Sequence, residues 1–222
     1  MIKKLFSLLY VGMLLSVWPS AQAQSQNAAL PSDIYPESLT RLPALSRDDL
    51  DAEGKAVYDR VVGDGPKPTT GPGGVQLYSP KIAQVWNDLN QYLRNDSVIE
   101  RRYFEVAATL AAWEIEQQYE YSAHEPAIVR FGSPQAVADT IRYDREPVGL
   151  PPEETLIIRL GRQLMREHKV DSELFEEAVK MFGRQGVVEL VTIMGDYVMV
   201  GMVLTAIDQH QPPDRPALLP ER

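Results

Sequence analysis

The feature that most constrains the fold is a long apolar stretch near the C-terminus, residues 185–207. Its length and composition are typical of a helix at the centre of a bundle. Helical spacing of apolar residues also dominates the segments before it, and no run of alternating strand residues competes with that pattern. We therefore predict an all-α fold. Glu189 and Asp196 interrupt the stretch and should be paired, because a buried carboxylate without a partner is costly.

Helix boundaries follow from caps and breakers. Pro80 suits the first turn of one predicted helix, and Gly132 is expected to end another. The segment Ser97–Glu100 matches a capping box, in which the serine oxygen accepts from the backbone while the glutamate reaches back. The Gly/Pro-rich stretch 63–74 is predicted to be an irregular surface loop, with a cover over a pocket or a subunit neighbour as the alternative.

The N-terminus has the pattern of a secretory signal peptide. Lys3 and Lys4 precede an almost uninterrupted apolar run over residues 5–18, and Ala21–Ala23 matches the small-x-small pattern of a cleavage site. We expect residues 1–23 to be removed and the mature protein to be periplasmic or secreted. An uncleaved membrane anchor is the alternative, although the run is short for a span of about 20 residues.

The remaining chain divides into three parts. Residues 24–45 are polar and contain three prolines, which predicts an extended N-terminal arm. Residues 46–208 carry the helical pattern, and residues 209–222 form a proline-rich tail. The full length of 222 residues suits one domain with extended ends.

Charge and cysteine content exclude several classes of function. The chain has 22 basic and 31 acidic residues, and removal of a signal peptide with two lysines and no acid leaves a net charge of −11, from 20 − 31. This balance argues against nucleic acid and anionic membrane surfaces as partners of the mature protein. The chain has no cysteine, which excludes disulfides, thiolate metal sites and cysteine redox catalysis.

A candidate acid/base pair lies in the middle of the chain. Glu120 and His124 are four residues apart, so on a helix their side chains point the same way. A carboxylate beside an imidazole orients the ring and favours its protonated form, which gives a workable general acid or base. A histidine that is simply buried and satisfied by Glu120 remains the structural alternative.

The same segment resembles the carboxymuconolactone decarboxylase family, which shares its fold with the alkylhydroperoxidase D-like proteins. That family has a glutamate in one helix and then a block close to x-x-Tyr-Glu-Trp-x-x-His. This chain supplies Glu105 and then Tyr119–His124, with Tyr121 at the tryptophan position. The similarity covers about residues 40–210 and includes Phe182–Gly183, Val188–Leu190 and Gly195–Tyr197. It implies an alkylhydroperoxidase D-like bundle and self-association as a trimer or hexamer.

The resemblance also implies a chemistry. Peroxidase members carry a Cys-x-x-Cys pair ahead of the histidine, where this chain has Gln117 and Glu120, so thiol peroxidase activity is excluded. Decarboxylase members keep the glutamate and histidine and remove carbon dioxide from an unsaturated γ-lactone acid. The implied catalytic roles are His124 as proton donor or base, Glu120 as its orienting group and Glu105 as a second relay. The implied substrate contacts are Tyr119, Tyr121, Gln117 and Tyr197.

These features predict an exported lyase, or a related lactone hydrolase or isomerase, that acts on a small oxygenated carbon acid without a cofactor. One alternative is a non-enzymatic oligomer that binds a small molecule or a protein. Another is a metal-assisted hydrolase, since one histidine with two glutamates suits some divalent metals. We expect no metal, because the chain has three histidines, no His-Glu-x-x-His motif, and peripheral positions for His168 and His210.

Overall fold

A computed structural model describes residues 30–63, 65 and 70–221. The predicted signal peptide and the first six residues of the predicted arm lie outside the described residues. Within these residues, eight α-helices follow one another: α1 Ala52–Val62, α2 Gly71–Val75, α3 Pro80–Asn95, α4 Arg101–Glu114, α5 Gln118–Arg130, α6 Gln135–Arg142, α7 Pro152–Arg162 and α8 Ser172–Ala206. The described residues form no β-strand beyond an isolated bridge between Tyr35 and Thr40. The all-α prediction is confirmed.

Helix α4 lies at the centre of the bundle. Every residue from Tyr103 to Trp113 is buried, and α4 packs against α5, α7 and α8. Alanines at 107, 108, 111 and 112 keep its surface shallow, so the neighbouring helices approach closely. On α7, a Cβ at Gly161 would come within 2.5 Å of Leu110, which shows that this crossing requires glycine. A polar residue on α4 is therefore held at a fixed place inside the protein.

Helix α8 is half buried rather than enclosed on all sides. It changes direction at Gly183, whose φ of 72° favours glycine, and its second part packs Leu190 and Ile193 into the core. The opposite face leaves Val188 and Met202 each 66% exposed. Among the described helices, α8 alone is long and apolar enough to cross a membrane, and 56% of its most apolar window is buried inside the domain, as in a core helix.

The predicted capping box at Ser97–Glu100 is wrong. Helix α4 begins at Arg101 with Glu100 at its N-cap position, and the Ser97 hydroxyl donates to Glu189 of α8 at 2.6 Å. That hydroxyl accepts from the Ile99 backbone at 2.9 Å, not from that of Glu100. The Glu189 carboxylate is buried and needs several donors. It also accepts from the Val98 backbone at 2.9 Å, the Tyr92 hydroxyl at 2.5 Å and Gln185 at 2.7 Å. The expectation that Glu189 is paired is confirmed.

The Gly/Pro-rich stretch is not irregular throughout. Residues 71–75 form α2, with Pro72 in the first turn, where its missing N–H costs nothing. Gly71 has a φ of 65°, and a Cβ there would lie 2.5 Å from the ring of Tyr119. The prediction of a surface loop is therefore wrong for these residues, and α2 rests directly on α5.

The arm and the tail pair with each other at one end of the bundle. The Arg41 backbone donates to the Ile207 carbonyl and the His210 backbone donates to the Leu39 carbonyl, both at 2.8 Å. Farther along, the Leu218 backbone donates to the Ser122 hydroxyl of α5 at 3.0 Å. The tail is thus docked on the helical domain over its described length.

The hydrogen bonds of Glu189 predict a specific loss of stability. Burial would raise the pKa of Glu189, but the bonds from Ser97, Tyr92, Gln185 and the Val98 backbone lower it from 4.5 to about 2. We expect Glu189→Gln to lose about 2 kcal/mol in urea unfolding at pH 7, because an amide cannot accept from all four donors. The exposed Glu176→Gln, on the same helix, should change stability by less than about 0.5 kcal/mol.

The pH dependence of that difference has a fixed sign. A lowered folded-state pKa gives stability that is present above pH 4.5 and is lost as the pH falls towards 2. The advantage of the wild type over Glu189→Gln should therefore shrink across that range. Equal stabilities at pH 7 would contradict the assignment.

Candidate functional site

The candidate site is built around a contact between neighbouring helices. Glu105 on α4 and His124 on α5 are both buried, and Oε2 of Glu105 lies 2.6 Å from Nδ1 of His124. Arg101, one turn before Glu105, donates to its other oxygen at 2.7 Å. A carboxylate with partners on both oxygens is held firmly in place, so it determines the orientation of the imidazole ring.

The other ring nitrogen of His124 faces a second carboxyl. Nε2 lies 3.6 Å from Oε2 of Glu120, which is outside normal hydrogen-bonding distance but close enough for direct electrostatic interaction. The ring of Tyr197 on α8 meets the imidazole edge to face, with centroids 4.6 Å apart. The predicted i, i+4 relation of Glu120 and His124 therefore holds, and Glu105 provides the orienting contact.

The two carboxyls have opposite pKa shifts. Burial raises the pKa of Glu105, but the hydrogen bond and charge of His124 and the charge of Arg101 outweigh that effect and lower it overall. Burial also raises the pKa of Glu120, and the charges of His124, Arg94 and Arg215 only partly offset the rise. Oε1 of Glu120 is buried and has no hydrogen-bond partner. Glu105 is thus suited to remain ionised, and Glu120 to carry a proton.

Glu120 forms part of the wall of a pocket of about 170 Å³ between α2, α3, α5 and α8, which we call the site pocket. Glu105 and His124 lie outside its lining, whereas Glu120 and Tyr197, which both adjoin His124, belong to it. The lining residues are Pro72, Gly73, Gln76, Trp86, Asn87, Asn90, Arg94, Glu120, Tyr197 and Val200. The site pocket therefore combines one acid, one guanidinium, several amides and a phenol.

Arg94 organises the polar side of the site pocket. Its guanidinium donates to the Tyr197 hydroxyl and to Asn90 Oδ1, the latter at 2.5 Å. Asn90 in turn donates to Asp196 at 3.3 Å. Burial raises the pKa of Asp196 and holds that of Tyr197 well above 10, with Arg94 opposing both shifts. The phenol of Tyr197 is therefore protonated and able to donate.

Three of the predicted substrate contacts lie away from the site pocket. Gln117 caps α5, since its side-chain oxygen accepts from the Tyr119 backbone at 2.7 Å. The Tyr119 hydroxyl meets Thr70 at 3.2 Å. Tyr121 is fully buried beside Arg142, and burial raises its pKa to about 12. Successive residues of a helix differ by about 100° in direction, so the neighbours of Glu120 on α5 face elsewhere.

The sequence analysis missed the contribution of α3. Asn87, Asn90 and Arg94 occur at i, i+3 and i+7, so they form one polar stripe along the helix. That stripe lies beside Trp86, which also lines the site pocket, and it is the signal that would have identified this face. Tyr197, a substrate contact implied by the family resemblance, lies in the lining of the site pocket.

Among the described residues, no group of three or more histidine, aspartate or glutamate side chains is arranged to hold a metal ion. The Glu105 carboxylate is engaged by Arg101 and His124.

The sequence matches none of the protein-family models and none of the curated proteins. Solved structures do match. The alkylhydroperoxidase AhpD core of an uncharacterized peroxidase-related protein from Ralstonia eutropha JMP134 has a TM-score of 0.63 and 14% identity, covering 78% of this chain and 93% of that one. A peroxidase-related protein from Silicibacter sp. TM1040 has a TM-score of 0.59 and 12% identity, covering 81% and 94%.

A third similar structure is the debrominase Bmp8 in complex with 2,3,4-tribromopyrrole. It has a TM-score of 0.56 and 14% identity, and the match covers 76% of this chain and 89% of that one. Together these structures show that the chain has the AhpD-like all-α fold. The family resemblance inferred from Glu105 and Tyr119–His124 is confirmed at the level of fold.

The buried Glu120 predicts a gain of stability on its removal. A raised folded-state pKa gives stability that is full below 4.5 and is lost as the pH rises through the folded-state pKa. We therefore expect Glu120→Gln to be more stable than the wild type at pH 8. The two should be nearly equal at pH 4. Urea unfolding at both pH values measures the difference, and a less stable variant at pH 8 would contradict the burial of an unpaired acid.

Proposed function

We propose that the protein is a cofactor-free enzyme that transfers protons at a small oxygenated carbon acid, with decarboxylation of a lactone acid as its leading reaction. The observation that carries this proposal is the row Glu105–His124–Glu120, in which two buried carboxyls with opposite pKa shifts flank one histidine beside a pocket. Pairs of titratable groups whose environments shift their pKa values in opposite directions are typical of acid/base sites.

Each member of the row has a distinct role in the proposed reaction. Ionised Glu105 holds the proton on Nδ1 of His124 and fixes the direction of the ring. Nε2 exchanges a proton with Glu120, for which the separation of 3.6 Å must shorten when substrate binds. Glu120, in the wall of the site pocket, delivers that proton to the substrate.

The proposed decarboxylation balances with these groups alone. The bond between the substrate carbon and its carboxylate breaks, and the electron pair enters the conjugated carbonyl to form an enolate. Glu120 then protonates the carbon, the enolate collapses back to the carbonyl, and Glu120 recovers a proton from solvent through His124. Each turnover releases carbon dioxide and consumes one proton.

The polar side of the site pocket suits such a substrate. Arg94 lies in the lining and presents a planar guanidinium, the group best matched to a carboxylate. The protonated Tyr197 hydroxyl is placed to donate to a developing oxyanion. The volume of about 170 Å³ favours a small molecule. In the similar debrominase structure, the bound molecule is a small unsaturated ring, which supports a compact substrate for this fold.

Export and self-association are part of the proposal. The signal-peptide pattern in residues 1–23 supports a periplasmic or secreted enzyme. Exposed apolar side chains on α8, at Val188, Met199 and Met202, support packing against further copies in a trimer or hexamer.

The proposed function predicts that His124 is essential for turnover. We expect the mature protein to release carbon dioxide and incorporate solvent deuterium into at least one compound from a panel of lactone acids and other carbon acids. His124→Ala should lower the rate by at least about 100-fold, since general acid/base catalysis contributes on that scale.

The matched control is His168→Asn. His168 is exposed, and its φ of 56° is tolerated by asparagine, so the fold and the rate should be unchanged. Circular dichroism checks that both variants are folded. A folded His124→Ala enzyme with full turnover would remove His124 from the mechanism, and no turnover on any compound would favour a binding protein.

A further inference from the structure

The C-terminal tail reaches the site pocket from outside the helical bundle. Gln209 accepts a hydrogen bond from the Gly71 backbone at 2.7 Å, at the first residue of α2, and α2 supplies two lining residues, Pro72 and Gly73. Gln211 donates at 2.8 Å to the carbonyl of Gln118, the first residue of α5 and two residues before Glu120. The tail therefore holds α2 in place and runs beside the helical turn that contains Glu120.

Arg215 is the tail residue directed towards this turn. Its guanidinium carbon lies 4.5 Å from the centre of the Tyr119 ring, and a turn from the Arg215 backbone to the Pro212 carbonyl, at 2.9 Å, supports the position. The Nη1 atom of Arg215 is buried and makes no hydrogen bond. Arg94 donates hydrogen bonds to Tyr197 and Asn90, whereas the Nη1 atom of Arg215 donates to no protein group. A guanidinium nitrogen buried in this way is costly unless a nearby charge compensates for it.

A candidate for that compensation is Glu120, which follows Tyr119 in the first turn of α5. Its Oε1 atom is also buried and without a hydrogen bond. The positive charge of Arg215 lowers the pKa of Glu120, acting against burial. The unused donor and the unused acceptor thus belong to two groups that already interact through their charges.

We propose that Arg215 is a positioning residue, through which the C-terminal tail brings a positive charge to the site and stabilises the ionised form of Glu120. This inference rests on the proposed function, because it concerns the same proton-carrying carboxyl. After Glu120 has given its proton to the substrate, it is left as a buried anion. Arg215 offsets the cost of that anion until His124 returns a proton.

Other charged groups also face Glu120 and set the background against which Arg215 acts. Positive charge comes from Arg94 on α3 and, when protonated, from His124 on α5, whereas Asp196 on α8 opposes ionisation of Glu120. Glu105 on α4 and Tyr197 on α8 complete the surrounding titratable groups. Because all of these except Arg215 belong to the helical bundle, a change in the tail isolates its contribution.

The test is a pH titration of the Glu120 side-chain carboxyl by ¹³C NMR on the full mature chain, with the signal assigned from Glu120→Gln. We expect Arg215→Met to move the midpoint upwards by about 0.5 pH unit or more, because the ionised form loses a neighbouring positive charge. Arg215→Lys, which keeps the charge but not the planar group, should remain closer to the wild type than to Arg215→Met.

The matched control is Arg145→Met. Arg145 also lies over a tyrosine ring, that of Tyr143 at 4.7 Å, but in the loop that follows α6 rather than in the tail. Its substitution should leave the Glu120 midpoint unchanged. The amide of Leu218, bonded to Ser122, reports by its protection from exchange whether the tail remains docked.

An unchanged or lowered midpoint in Arg215→Met would overturn the proposal. A rise of equal size in Arg215→Lys would also overturn it, because stacking rather than charge would then be responsible. The titration needs no substrate. Failure of the turnover assay would therefore count against the proposed function alone, and failure of the titration would count against Arg215 alone.

Discussion

The short contact between Glu105 and His124 is the interaction on which the site depends. It joins α4, the most deeply buried helix, to α5, and it is possible because the alanine-rich surface of α4 lets α5 approach closely. A buried carboxylate must be satisfied, and Arg101 and His124 satisfy both oxygens of Glu105. The imidazole is thereby fixed on one edge, and its other nitrogen is presented to Glu120. Without this contact, the ring of His124 would have no fixed orientation towards Glu120.

The wall of the site pocket contains a carboxyl group whose ionisation is energetically costly. Glu120 is buried with one oxygen unbonded, and its raised pKa means that folding is weakened when it ionises. Glu189 on α8 is the contrasting case, because its carboxylate accepts from four donors and has a pKa of about 2. The same residue type is thus structural in one place and, in the proposed function, a proton carrier in another. The two pKa values differ because Glu189 accepts hydrogen bonds from four donors, whereas Oε1 of Glu120 accepts none. In the proposed function, Glu120 lowers the stability of the fold and supplies the proton for the reaction.

Local geometry explains which parts of this arrangement were predictable. The start of α3 at Pro80 and the shared direction of Glu120 and His124 depend only on nearby residues. Glu105 and His124 are 19 residues apart in the sequence, so no local pattern predicts their contact. Only the family resemblance assigned both residues to one site. Ser97 was misassigned because its partner Glu189 lies 92 residues away. Likewise, α2 is helical because it rests on Tyr119 and Gln209, which no local pattern reveals.

In the proposed function, Glu105 fixes His124 with its proton on Nδ1 and leaves Nε2 to exchange a proton with Glu120. The most direct measurement is the ¹⁵N and ¹H NMR spectrum of the His124 imidazole near neutral pH. We expect a protonated Nδ1 with a slowly exchanging proton, shifted downfield by its 2.6 Å bond to Glu105. A neutral ring with its proton on Nε2, or a rapidly exchanging Nδ1 proton, would contradict this expectation.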